Sequence, residues 1–235
     1  MVISDTVIMP ETPPNTELLR SLGQLVRGLS ALFWGLPLAL IICVQTAKTE
    51  MLRPFNILPP MVVTGWLVFG LWQLGHFQKQ ERIWMSALDR AKLIALVNLG
   101  LSPFLYWWSQ MPDEPFYTAV LSVMAVSGLL FLSNLNTVLQ RLSAMLPDEG
   151  LRQETKHFTT LNRFLVLAIL LVGLVFYLLV RFPEWLPTWS DLLGRLESGT
   201  MWLMIFLVLL PLAMTMALIW KIKEVILDGL FGMGR

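Results

Sequence analysis

All 16 aspartates and glutamates of this chain fall between or outside six apolar runs, at 29–46, 58–77, 92–110, 117–139, 161–182 and 201–220. Each run is about 17–23 residues long, enough for a helix to cross the ~30 Å hydrocarbon layer of a bilayer. In lipid the backbone must satisfy its own hydrogen bonds, and helices do so within each segment. Mean hydropathy is +0.66 and charged residues are only 14%, well under the roughly one quarter usual in soluble domains. The spacing therefore predicts an all-α, polytopic integral membrane protein with six transmembrane helices.

The basic residues set a direction. Arg20 and Arg27 precede the first run, and Lys79, Arg82, Arg90 and Lys92 lie between the second and third or at the start of the third. Arg141, Arg152, Lys156 and Arg163 lie between the fourth and fifth or at the start of the fifth, and Lys221, Lys223 and Arg235 follow the sixth. The alternate loops carry only Lys48, Arg53, Arg181 and Arg195. Basic loops stay on the cytoplasmic side, so both termini are expected inside, in a bacterial inner membrane. Net charge is +1, which offers no electrostatic footprint for nucleic acid.

Residues 1–15 are polar and proline-rich without a basic stretch, so a tail is expected there, disordered or pinned by a partner, and no cleaved leader. Residues 16–28 place Leu18, Leu22, Leu25, Val26 and Leu29 at helical spacing opposite Arg20, Gln24 and Arg27. This predicts an amphipathic helix lying in the interface, or else a simple extension of the first span. A second such piece is expected between the fifth and sixth spans, where Trp189, Leu192, Leu193 and Leu196 follow Thr188. Ser86 and Asp89 form a candidate capping box for the third helix, which should kink at Pro103. The prolines of 53–60 suggest an extended outer loop. Asp148 is placed to cap the fifth helix, and the fourth and fifth helices should continue past the membrane as a stem over 142–158.

Polar residues within the runs concentrate in the middle spans. Ser127, Asn134, Thr137 and Arg141 share a face of the fourth, which is expected to be the helix the others pack around. Gln73, Asn98 and Asn134 each lie about four to six residues inside the same membrane boundary, which predicts one hydrogen-bonded layer joining helices two, three and four. Arg90, Lys92, Arg141 and Arg163 would rim that layer and suit anionic lipid or an anionic partner. Helices five and six, with only Tyr177 and Thr215 noted, are expected to face lipid. Arg27 and Pro37, Arg90 and Gly100, and Arg163 and Gly173 repeat one offset. Three tandem hairpins would produce this, and so would boundary arginines alone.

The chain lacks the Walker, G-x-S-x-G, H-E-x-x-H and dinucleotide patterns. Glu154 and His157 make one E-x-x-H unit, whereas di-iron bundles use two with further glutamates. The lone Cys43 sits in an apolar run. No cofactor is predicted, though lipids or pigments between helices remain compatible with the pattern. The expected role is a non-catalytic subunit that scaffolds a larger membrane assembly. It would dock on other membrane subunits through helices five and six and the 142–158 stem. A membrane-embedded lipid-modifying enzyme is a further alternative. The layout of an interfacial helix, six spans with both ends inside, a charged second loop and an outer amphipathic piece resembles permease subunits of ATP-binding-cassette exporters. That resemblance implies a cytoplasmic ATPase partner received at 79–90.

Overall fold

The computed structural model describes residues 16–48, 54–77, 81–146, 148–181 and 187–232. All the regular structure among them is helical. In chain order the helices are α1 (Thr16–Lys48), α2 (Leu58–Leu74), α3 (Arg82–Leu101), α4 (Phe104–Gln110), α5 (Pro115–Met145), α6 (Glu149–Arg181) and α7 (Pro187–Gly232). Four helical stretches are long and apolar enough to cross a membrane: Arg20–Lys48, Pro115–Met145, Glu149–Val175 and Phe206–Asp228. Leu58–Leu74 is a shorter apolar helix. The expected 1–15 tail, residues 79 and 80, Pro147 and Trp185 lie outside the described residues.

Local chemistry explains most boundaries. Pro59 and Pro60 sit in the first turn of α2, where a missing N–H costs nothing. They start a helix rather than extend a loop. Asp148 Oδ1 accepts the Leu151 N–H at 3.1 Å, capping α6. Ser102 and Pro103 break the third apolar run into α3 and α4, a sharper interruption than a kink. The Ser86 capping box is not formed. α3 already begins at Arg82 after Glu81, leaving Ser86 inside the helix.

Of the two alternatives for 16–28, the helix agrees with a simple extension of the first apolar run, because α1 is one helix of 33 residues. Its apolar face is taken up by protein, with Leu25 and Leu29 fully buried in the common core. The second amphipathic piece is likewise the start of α7, which runs 46 residues without a break.

The helices close into a ring in which α1 packs on α2, α2 on α3, α3 on α5, α5 on α6, α6 on α7, and α7 on α1. α5 also touches α4 and α7. The core is a single apolar cluster. It joins Leu25 and Leu29 of early α1, Leu71 and Leu74 of late α2, Trp84 and Leu88 of early α3, Leu139 and Leu142 of late α5, Leu151 of early α6, and Ile219 and Ile222 of late α7. These stretches meet at one end of the bundle, which is also the end rich in Lys and Arg.

Candidate functional site

Three buried polar side chains join α5, α6 and α7. The Asn136 amide donates to the Thr215 hydroxyl at 2.9 Å, and the Asn162 amide donates to the same oxygen at 3.2 Å. Thr215 in turn donates to the Pro211 carbonyl at 2.8 Å. A hydroxyl has one proton and two lone pairs, so Thr215 is saturated. Asn136 is 2% exposed, Asn162 1% and Thr215 0%. Thr159 extends the seam by donating to the Asn136 carbonyl at 3.4 Å. On α6 the buried positions run Leu151, Thr155, Thr159, Asn162, Val166 and Ile169. Steps of three and four residues put them on one helical face, so the helix carries its polar groups into the seam as a unit.

The residues singled out from sequence lie elsewhere. Gln73 is half-buried near the α1–α2 crossing, beside Gly28. Asn98 is half-buried on α3, and its carbonyl oxygen has no hydrogen-bond partner. Asn134 donates to the Leu130 carbonyl of its own helix at 2.8 Å. No hydrogen bond joins any two of the three. Arg90, Arg141 and Arg163 are exposed. Lys92 pairs with Asp89 of its own helix at 3.5 Å, and its ammonium sits by Gly75 at the end of α2. The layer expected across helices two to four is thus replaced by one across the last three helices. Thr155 lies within the stem expected over 142–158, and Thr159 and Asn162 follow it directly in the sequence. The signal that could have found them is the Thr-x3-Thr-x2-Asn spacing itself. Tyr177, the other polar residue noted on helix five, points outward at 64% exposure.

Beside the seam, α1, α6 and α7 enclose a cleft of about 630 Å³. Phe33, Phe158, Met216 and Trp220 supply apolar walls, and Glu154, Lys221 and Glu224 supply its charge. Lys221 donates to both oxygens of Glu154. The E-x-x-H glutamate is therefore engaged with an ammonium on α7. Phe33 and Trp220 meet with ring centroids 5.8 Å apart.

Chemically, apart from the Trp84 indole N–H, the buried polar groups among the described residues are all Ser, Thr and Asn. Such groups hold helices and accept or donate hydrogen bonds, but they do not titrate near neutral pH. Among the described residues no three His, Cys, Asp or Glu side chains converge as a metal site. No family model matches the chain, and no curated protein or solved structure matches it either.

Proposed function

We propose that the chain is a non-catalytic integral-membrane subunit that packs within a larger assembly of the bacterial inner membrane. Both ends face the cytoplasm in this reading, and the six apolar runs each cross. The observation that carries it is the neutrality of the buried polar side chains, all of them Ser, Thr or Asn among the described residues apart from the Trp84 indole N–H. A core of that kind packs and seals, whereas proton or electron movement relies on ionisable or redox groups between helices. The outward face of α6 supports docking there. Leu161, Phe164, Leu167, Leu171 and Leu174 are exposed at steps of three and four residues, forming an unbroken apolar stripe. In this reading the stem over 142–158 adds a second docking surface.

Photo-crosslinking residues at Phe164 and Leu171, with Val62 of α2 as the reference position, test the reading in cells. The expected outcome is a discrete adduct with one integral membrane protein from α6 and none from Val62. Lipid adducts alone from α6 would overturn it. A crosslink from Ile83 or Ser86 to a cytoplasmic ATPase would replace it with the permease reading, in which 79–90 receives the ATPase.

A further inference from the structure

The cleft between α1, α6 and α7 combines apolar walls, one inter-helix ion pair and an unpartnered hydroxyl. Its volume of about 630 Å³ lies within the ~300–1,000 Å³ common for small-ligand sites. Its walls are apolar, but its charges are grouped and of both signs: two carboxylates, Glu154 and Glu224, beside the ammonium of Lys221. Thr155 also lines it, is 0% exposed, and its hydroxyl has no hydrogen-bond partner. Helical threonines usually satisfy themselves on the carbonyl four residues back, as Thr160 does on Lys156 at 2.9 Å. An unpartnered buried hydroxyl is costly, which marks this wall as one that packing alone leaves unfinished.

We propose that this cleft binds a phospholipid whose headgroup carries a primary ammonium, of the phosphatidylethanolamine type. The ammonium goes to Glu224, the phosphate to Lys221 beside its bond to Glu154, and an acyl chain lies along Phe33, Phe158 and Met216. Charge complementarity selects this occupant. Lys221 already answers Glu154, so an anionic lipid would set its charge against the remaining carboxylate of Glu224. A quaternary ammonium cannot donate hydrogen bonds to carboxylates, and the aromatic face that would attract it instead is in use. Lys223 Nζ lies 5.8 Å from the Trp220 ring centroid. This assignment stands independently of the scaffold reading, since a lipid site is compatible with any of the roles considered.

The test is native mass spectrometry of the full-length protein in neutral detergent, offered phosphatidylethanolamine, phosphatidylcholine and phosphatidylglycerol with identical acyl chains. Retention of the ethanolamine lipid over the other two by about tenfold is expected from charge-assisted hydrogen bonds. Ala217→Trp, which fills the cleft from an exposed wall position, should abolish retention with thermal unfolding unchanged. Glu224→Gln should narrow the ethanolamine-to-choline ratio several-fold. Equal retention of the three lipids overturns the headgroup assignment, and retention by a folded Ala217→Trp protein overturns the location. Should Ala217→Trp fail to fold, the solvent-exposed Glu224→Gln decides, and an unchanged ratio there sinks the proposal.

Discussion

Two seams in this molecule hold helices together by opposite means. Where α1 crosses α2 the contact is steric and dry. A Cβ on Gly28 would stand 2.4 Å from Leu74 Cδ1 and 2.9 Å from the Gly70 carbonyl oxygen. Gly70 returns the arrangement, its own Cβ position lying 3.3 Å from the Gly28 carbonyl oxygen. Two backbones approach because neither helix carries a side chain at the crossing. Where α5, α6 and α7 meet, the contact is polar, and one threonine hydroxyl accepts from amides on two other helices. The difference teaches what lipid permits. Hydrocarbon solvates leucine as well as protein does, so association depends on close packing or on hydrogen bonds that lipid cannot replace. The first seam is therefore expected to reject added atoms, and the second to suffer more from the loss of one oxygen than from a change in volume.

That contrast can be broken most directly at Gly28. Gly28→Val should cost about 3 kcal/mol or more, because the nearest obstruction includes backbone of α2 that cannot move without separating the helices. Gly65→Ala, with nothing within 4 Å of its Cβ position, should be neutral or stabilising by about 0.5–1 kcal/mol. Thermal unfolding in detergent compares the two, and equal effects would deny that the crossing is tight. Next in size, Thr215→Val keeps shape but leaves the Asn136 and Asn162 amides without their shared acceptor. A loss of about 1–2 kcal/mol is expected, with Thr215→Ser recovering most of it. If valine and serine behave alike, the second seam is packing after all. Smallest of all, Asn134→Ala should change stability by less than about 0.5 kcal/mol, since that amide serves only its own helix. A larger loss would restore the sequence-based polar layer and demote the observed one.

How much was legible follows from those residues. The apolar runs, the Asp148 cap and a distortion at Pro103 are local matters, decided within a few residues, and each was readable, though the sequence suggested a kink where the structure has a break. The continuity of α1 was not. An apolar stripe on residues 16–28 fits a membrane surface or a protein groove equally well, and only the neighbours of Leu25 and Leu29 choose. Asn134 and Asn136 make the point within one turn. Both are amides at similar depth on α5, but two residues of helix turn them by about 200°. One points to its own backbone and the other into the seam.

By itself the sequence determined that the chain is helical, built for lipid and charged at one set of loops. Composition and spacing act through local backbone geometry and solvation, which need no partner. Only the tertiary structure decided which polar groups meet. A hydrogen bond inside a bundle depends on the rotation and offset of two helices at once, and that relation belongs to neither helix alone.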